Sequence, residues 1–199
     1  MVGSLQDDYC NPVKKRDNMK KWTLLMFILT MTTIMQAQDF VRENDKKTDK
    51  VLLRGKLTFA DVMDETVNKW LVKGAAAYHP NEEVIKAIKS VMHHYRLVIF
   101  MGTWCEDTQV LLPQLYKTLK DAGFDMNAIE MYGVNRKKEA LNIEHKFYNI
   151  ERVPTIIVMH QYREVGRIIE SVSGSIEEAL LNLMLPDGQK LEAKRAAKQ

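Results

Sequence analysis

The sequence has little cysteine, little net charge and no cluster of metal-binding side chains. Only Cys10 and Cys105 occur among 199 residues, and Cys10 precedes a predicted export signal, so the two are not expected to share a mature chain. The formal net charge is only +3, which gives no global electrostatic case for nucleic-acid binding. The five histidines show no zinc-site spacing, and no glycine-rich phosphate loop is present. We therefore expect no metal, no cofactor and no nucleic-acid partner.

An apolar segment near the N-terminus predicts export. Met19-Lys20-Lys21 forms a basic start, residues 22–35 form an apolar core, and the small residue Ala37 follows. This pattern is typical of a secretory signal peptide, and the core is shorter than the roughly 20 residues that a membrane span needs. An uncleaved anchor and an ordinary core helix are the alternatives. Residues 1–38 are thus predicted to be a signal peptide, with a possible spurious extension before Met19, and the protein is expected in the periplasm or cell envelope, touching the membrane only through this segment.

The remaining chain divides by composition and periodicity. Residues 39–56 are rich in charge and poor in large apolar groups, which predicts a polar, solvated leader. Residues 57–80 show helical spacing and predict a helical extension, which could cap a sheet edge or recruit a partner. Residues 81–188 alternate helix, strand, helix, strand, helix, strand, strand, helix, the pattern of an α/β sandwich with parallel crossovers first and an antiparallel hairpin last. Residues 189–199 are predicted to be a basic C-terminal tail.

Three local patterns make more specific predictions. Leu97–Phe100 is an uninterrupted apolar run, which predicts a strand buried on both faces. Residues 139–148 carry apolar groups at loose helical spacing and predict a helix. Gly74 is expected to end or loosen the helix that starts near Phe59, because glycine is a poor helix former.

Cys105 is the best candidate for chemistry because it lies where the central strand gives way to a helix. Gly102 and Thr103 interrupt the apolar run just before it. A thiol there feels the free N–H groups of the first helical turn and the positive end of the helix dipole, and both favour the nucleophilic thiolate. Glu106 and Asp107 suit a helix start but oppose ionisation of a nearby sulfur. The alternatives are an inert buried thiol for Cys105 and simple helix capping for Asp107.

Residues 104–108, Trp-Cys-Glu-Asp-Thr, resemble the Trp-Cys-x-x-Cys active site of the thioredoxin superfamily. Pro113 matches the proline that kinks the active-site helix of that family, and Val153-Pro154-Thr155 resembles its cis-proline motif. The resemblance spans roughly residues 80–185 and departs from the family at Thr108, which replaces the second, resolving cysteine. The Gly-Thr-Trp-Cys-x-Asp-Thr pattern is more narrowly similar to exported bacterial thioredoxin-like proteins with a single active-site cysteine.

The resemblance implies a thioredoxin-like three-layer α/β/α sandwich with a mixed sheet, preceded by an N-terminal helical extension. It also implies that Cys105 attacks a disulfide or an oxidised sulfur and forms a mixed disulfide. Since Thr108 cannot resolve that intermediate, an external reducing thiol must release it. A hydrogen bond from the Thr108 hydroxyl to the sulfur and a plain helix-turn role are both open. The residues implied to contact or position substrate, besides Cys105 and Thr108, are Pro154, Trp104, Val153 and Asp107.

Two functions of different classes follow from these residues. The first is a thiol–disulfide oxidoreductase that acts on protein disulfides or low-molecular-weight thiols. The second is a non-catalytic module that keeps the groove around Pro154 for an extended peptide and uses Cys105 only for packing. Trp104 is either a flap over the site or a core aromatic residue.

Overall fold

The computed structural model describes residues 39–48, 51–64 and 68–185. The predicted signal peptide, residues 1–38, and the predicted basic tail, residues 189–199, lie outside these ranges. Across the described ranges, no helix combines the length and the apolar character that crossing a membrane requires.

Six strands of the described chain form one mixed sheet in the order β1-β2-β4-β3-β5-β6. The strands are β1 (Phe40–Asn44), β2 (Val51–Leu57), β3 (Tyr95–Met101), β4 (Ile129–Gly133), β5 (Thr155–His160) and β6 (Arg163–Ile169). Strands β3 and β4 are parallel, and every other neighbouring pair is antiparallel. The crossover between β3 and β4 and the closing β5–β6 hairpin confirm the predicted mixed α/β architecture.

Helical segments flank this sheet. They are α1 (Phe59–Val62), α2 (Lys69–Ala77), α3 (Glu82–Val91), α4 (Glu106–Ala122), α5 (Glu144–Phe147) and α6 (Ile176–Met184), with 3-10 turns at Met92–His94 and Met126–Ala128. Helix α3 begins after Asn81, whose side chain accepts a hydrogen bond from the N–H of Glu83. Helix α6 begins after Ser175, whose hydroxyl accepts one from the N–H of Glu178. Both caps satisfy N–H groups that a helix start leaves unpaired.

Strand β3 is buried on both faces, as its apolar run predicts. Leu97, Ile99 and Met101 belong to the larger core, which contains residues of α2, α3, α4 and α6. Val98 and Phe100 belong to a smaller core on the opposite face. All five side chains are at most 4% exposed. A strand held on both sides gives a rigid base for the turn that follows it, and that turn carries Cys105.

Residues 39–56 are not a solvated leader, so that prediction is wrong. They contain β1 and β2, which pair with each other, and β2 also pairs with β4 in the sheet. Leu53 and Leu57, at 0% and 3% exposed, join the larger core. Arg54 and Lys56 alternate with them and point away from it, as a period of two requires. The composition of the segment averages the charged residues of one strand face with the apolar residues of the other. This average therefore predicted a solvated segment instead of a strand.

Gly74 does not end its helix, which corrects the third local prediction. It lies inside α2, and a Cβ atom at this position would be 2.7 Å from the Cβ of Pro113 in α4. The missing side chain therefore lets α2 pack directly on α4. The predicted extension is helical in α1 and α2, and Phe59, Val62 and Leu71 contribute to the larger core.

The helix predicted over residues 139–148 is also wrong in extent, since only α5, a single turn, forms there. The Asn135 side chain accepts hydrogen bonds from the N–H groups of Lys137 and Glu139, which holds the preceding chain in a turn. The His145 Nδ1 accepts another from the N–H of Ala140. Such local side-chain partners compete with helical hydrogen bonds.

Candidate functional site

Cys105 lies at the N-terminus of α4, in the N-cap position, with its side chain partly exposed. Its backbone N–H donates to the carbonyl of Gly102 at 2.9 Å, which closes the turn after β3. The Sγ atom donates to the carbonyl oxygen of Val153 at 3.2 Å. A thiol can make this contact and a thiolate cannot, since only the thiol carries a proton. The sulfur is thus placed between a helix start and a second backbone segment.

That second segment is the turn into β5. The Val153–Pro154 peptide bond is cis, and the Val153 side chain is only 4% exposed. The Pro154 carbonyl accepts a hydrogen bond from the N–H of Glu170 at 2.8 Å, and the Thr155 hydroxyl donates to the carbonyl of Arg152 at 2.7 Å. These bonds fix the Val153 carbonyl beside the sulfur. The structure therefore brings together Cys105 and Val153, which are 48 residues apart.

Thr108 and Asp107 occupy different environments in the first turn of α4. Thr108 is completely buried, and its hydroxyl oxygen accepts a hydrogen bond from the N–H of Gly102 at 3.5 Å. Within the described residues no hydrogen bond joins Thr108 to the Cys105 sulfur. Asp107 is exposed, and its carboxylate forms no ion pair with any residue that the structure describes. Thr108 supports the turn around the sulfur, and Asp107 lies where negative charge favours a helix start.

Trp104 is held from three sides next to the sulfur. Its Nε1 donates to the carbonyl of Val134 at 2.9 Å. A Cβ atom on Gly102 would be 2.7 Å from the indole ring, so the glycine leaves the room that the ring needs. The guanidinium carbon of Arg136 lies 5.1 Å from the ring centroid, within the range of a cation–π contact. The ring is only partly buried. It therefore packs against the smaller core and leaves part of its surface exposed next to Cys105.

An ion pair between Asp45 and Arg136 supports this arrangement and was missed by sequence reasoning. Arg136 donates to both carboxylate oxygens of Asp45, from Nε at 2.8 Å and from Nη2 at 2.5 Å. The Asp45 side chain is 3% exposed. Hydrogen bonds from Arg136 and Thr48 hold the pKa of Asp45 well below its usual range. The two residues are 91 positions apart, so no local pattern could have revealed the pair.

A cavity of about 630 Å³ lies on the Trp104 side of the site. Its lining residues are Asp45, Thr48, Val51, Leu52, Asn68, Trp70, Thr103, Trp104, Glu106, Gln109 and Arg136. Asn68 is only 2% exposed, and its Oδ1 accepts a hydrogen bond from the Trp70 Nε1 at 3.1 Å. Among the residues that the structure describes, the buried Asn68 Nδ2 group has no hydrogen-bond partner. Most buried polar groups are paired, so this amide is an exception.

The chemistry that the described residues offer beside Val153 is that of the Cys105 sulfur. Within the part of the chain that the structure describes, no three or more histidine, cysteine or acidic side chains are grouped so that they could hold a metal ion. The reactive group in reach of the Val153 carbonyl is the Cys105 thiol. A partly exposed thiol can exchange with a disulfide through its thiolate form.

Comparisons with known proteins identify no family for this chain. No protein-family model matches the chain, and no curated protein matches it. Among solved structures, thioredoxin O2 from Arabidopsis thaliana is 16% identical, with 52% of this chain and 84% of that chain covered and a TM-score of 0.33. Mitochondrial thioredoxin 3 from Saccharomyces cerevisiae is 20% identical, with 52% and 86% covered and a TM-score of 0.33. A protein of unknown function from Pseudomonas aeruginosa is 16% identical, with 71% and 89% covered and a TM-score of 0.41.

The architecture itself is a thioredoxin-like α/β fold. The mixed sheet has a parallel β3–β4 pair at its centre and an antiparallel β5–β6 hairpin at one edge, and helical segments cover its faces.

Proposed function

We propose that this protein is a single-cysteine thiol–disulfide oxidoreductase that acts through a mixed disulfide at Cys105. The observation that carries the proposal is the position of Cys105, partly exposed at the N-terminus of a 17-residue helix and with its Sγ beside the Val153 backbone. Helix N-termini stabilise negative charge, and the thiolate is the attacking form of a cysteine. Cys105 is partly exposed, as attack on a second sulfur atom requires.

The reaction proceeds in two exchanges. The Cys105 thiolate attacks one sulfur of a disulfide, the old S–S bond breaks, and the other sulfur leaves as a thiolate. Thr108, buried where a resolving cysteine would stand, has no sulfur to break the new bond. An external reducing thiol therefore attacks the mixed disulfide and restores Cys105. Its substrates are protein disulfides or low-molecular-weight thiols in disulfide form.

Residues on both sides of the sulfur are proposed to contact the substrate. The Val153 carbonyl and Pro154 form one side, and the partly exposed Trp104 forms the other. An extended substrate segment that pairs with the Val153 backbone would bring its own sulfur next to Cys105. Asp107, exposed in the first turn of α4, lies where it would meet the solvent side of such a segment.

The test is reduction of insulin disulfides by the full chain with dithiothreitol as the external thiol. We expect the wild type to accelerate the reaction at least tenfold over dithiothreitol alone, Cys105→Ser to fall to that background, and Cys10→Ser to retain the wild-type rate. In parallel, iodoacetamide labelling of the Cys105 peptide is followed by mass spectrometry, which separates it from Cys10. A folded protein in which Cys105 resists labelling, or a Cys105→Ser variant as active as wild type, would contradict the proposal.

The burial of Thr108 and the packing of Cys105 against the smaller core favour a second candidate, a non-catalytic peptide-binding module. In that case Cys105→Ala lowers stability but leaves partner capture intact. In the oxidoreductase case a Cys105→Ser protein traps nothing, whereas wild type isolated without reducing agent carries substrates in mixed disulfides that dithiothreitol releases. The peptide-binding module therefore retains its partner in the presence of dithiothreitol, whereas the oxidoreductase releases its trapped substrates.

We also propose that the protein acts in the cell envelope, on the strength of the apolar segment at residues 22–35. Cell fractionation followed by N-terminal sequencing tests this proposal. A mature chain that starts near Gln38 in the envelope fraction is the expected result. A cytoplasmic chain that still carries residues 19–38 would contradict it.

A further inference from the structure

The indole ring of Trp104 is held by groups from a distant part of the chain. Its Nε1 donates to the Val134 carbonyl at 2.9 Å, and the Val134 N–H donates to the carbonyl of Met101 at 2.9 Å, so this acceptor is fixed to β3. Arg136, two residues further along the same loop, has its guanidinium carbon 5.1 Å from the centroid of the ring. One edge of the ring is therefore bonded to the sheet, and one face is in contact with a cation.

Asp45 holds the guanidinium of Arg136 in this position. The Arg136 Nε and Nη2 donate to the two carboxylate oxygens of Asp45, and a bidentate pair fixes the plane of the guanidinium as well as its place. The carboxylate is itself anchored in the turn after β1, because the Thr48 hydroxyl donates to it at 2.6 Å and the Lys47 N–H at 3.1 Å. The Asp45 side chain is 3% exposed, so solvent has little access to these bonds.

The sulfur of Cys105 is held by different contacts. The Cys105 N–H donates to the carbonyl of Gly102, and the Sγ donates to the carbonyl of Val153. Neither contact involves Arg136. We therefore expect the loss of the guanidinium to release the Trp104 ring while the sulfur keeps its place. The two parts of the site can thus be separated by experiment.

We propose that Arg136 is a positioning residue for the Trp104 ring and thereby sets the substrate preference of the site. Held by Asp45, it keeps the ring as a fixed surface beside Cys105 on which a polypeptide substrate packs. This inference rests on the proposed oxidoreductase function and names protein disulfides as the preferred substrate class. A ring that is already fixed loses little conformational entropy when a polypeptide binds to it. A small disulfide has little surface to place on the ring and gains little from its being fixed.

The experiment compares a protein disulfide with a small one in the full chain. Insulin reduction with dithiothreitol gives kcat and KM, and mass spectrometry follows mixed-disulfide formation between bis(2-hydroxyethyl) disulfide and the Cys105 peptide. Arg136→Gln is expected to raise the KM for insulin at least fivefold, because a binding contact is lost. Its kcat and its rate with the small disulfide are expected within twofold of wild type. Lys137→Met, which removes an exposed charge from the same loop, is the matched control and retains the wild-type KM.

Two further variants test how Arg136 acts. Arg136→Lys keeps the charge but lacks the planar group that binds both carboxylate oxygens, and is expected to leave the KM for insulin at least threefold above wild type. A wild-type KM in Arg136→Lys would overturn the role given to the guanidinium plane. Because Asp45 acts through Arg136, adding Asp45→Asn to Arg136→Gln is expected to raise the KM no further. If the two effects multiplied, Asp45 would act independently of Arg136 and that part of the inference would be wrong.

Acrylamide quenching of tryptophan fluorescence reports on the ring directly. In a background of Trp22→Phe and Trp70→Phe, Trp104 is the one tryptophan left in the chain. Arg136→Gln is expected to raise its quenching constant at least twofold, because the face in contact with the guanidinium becomes accessible, whereas Lys137→Met leaves it unchanged. Urea unfolding confirms that each variant is folded, and Arg136→Lys takes the place of Arg136→Gln if the latter does not fold.

The outcomes separate this inference from the proposed function. A wild-type KM for insulin in Arg136→Gln, or an equal loss of activity toward insulin and the small disulfide, would overturn the inference while the oxidoreductase function stands. If neither disulfide reacts with the wild type, the oxidoreductase function is overturned. The quenching measurement then decides by itself whether Arg136 positions Trp104, and an unchanged quenching constant would overturn that as well.

Discussion

Gly74 is a single residue whose missing side chain decides how two helices pack. It faces Pro113, so that a Cβ at this position would lie 2.7 Å and 2.9 Å from two ring carbons of the proline. Contacts this short force side chains or backbone to shift, which typically costs 1–3 kcal/mol. The local preference of a helix works in the opposite direction, because alanine is favoured over glycine by about 1 kcal/mol.

We therefore expect Gly74→Ala to lower the free energy of unfolding by about 1–3 kcal/mol, since overpacking outweighs helix propensity. Urea unfolding measures the change. Ala76→Gly, at an exposed position of the same helix, reports the propensity alone and should lower stability by about 1 kcal/mol. If Gly74→Ala stabilised the protein by as much as Ala76→Gly destabilises it, α2 and α4 would not be in the close contact described above.

The position of a single residue could be predicted from the sequence where its neighbours in the chain determine its local structure. Cys105 could be assigned to a helix start because the apolar run before it and the breakers Gly102 and Thr103 are local signals. The contact with Val153 was predicted only through resemblance to a family motif. The Asp45–Arg136 pair and the unpartnered Asn68 amide depend on residues brought together by the fold, and nothing in their local sequence distinguishes them from ordinary surface groups.

At the scale of elements, β2 shows how composition can hide a strand. Its buried positions alternate with Arg54 and Lys56, and its partner β1 is also rich in charge. Gly55 has a φ of +118° and its Cα lies so close to the Asp39 carbonyl that a Cβ would be 2.4 Å from that oxygen. A window that averages apolar content therefore predicts solvent exposure, whereas a period of two over Leu53, Gly55 and Leu57 would have predicted a half-buried strand.

We expect Leu53→Ala to lower the free energy of unfolding by about 2–5 kcal/mol, because it removes a fully buried side chain and leaves a cavity. Lys56→Ala, three residues later on the exposed face of the same strand, should change stability by no more than about 0.5 kcal/mol. Urea unfolding of both variants makes the comparison. If the Leu53→Ala protein were as stable as the Lys56→Ala protein, Leu53 would not be buried in the core and the segment would be solvated after all.

At the scale of the whole molecule, acid stability should depend on the Asp45–Arg136 pair. The pKa of Asp45 is held low by Arg136 and Thr48, while an unfolded chain has an aspartate pKa of about 3.9. A carboxyl whose folded pKa is depressed stabilises the fold at pH values above the unfolded pKa and loses that contribution as the pH falls toward the folded value. The pair joins the turn after β1 to the loop after β4, so its loss would loosen the support of Trp104.

We expect Asp45→Asn to be less stable than wild type by a constant amount between pH 7 and about pH 5, and the gap to narrow below about pH 4. Urea unfolding at each pH measures the gap. Asp121→Asn, which removes an exposed ion pair with Lys117, is the control and should show a smaller difference, because exposed pairs contribute little. A gap for Asp45→Asn that widens on acidification would contradict the assigned direction of the pKa shift.

The overall architecture was predictable because strongly patterned segments dominate it. The buried run of β3, the helix after Cys105 and the β5–β6 hairpin all formed where the sequence indicated. The helix predicted over residues 139–148 forms only a single turn, because Asn135 and His145 accept backbone hydrogen bonds that compete with helical ones. The walls of the large cavity could not be predicted, since they come from four separate parts of the chain.

The strand order also has a consequence for behaviour in concentrated solution. It leaves β1 and β6 at the two margins of the described sheet, where backbone groups that pair with no described strand could recruit a strand from another molecule. Both margins carry charged side chains, Arg42 and Glu43 on one and Arg163 and Glu164 on the other, and such charges oppose fibre formation. Salt at 1 M, which shortens the Debye length to about 3 Å, is therefore the condition in which edge-to-edge stacking should first be sought.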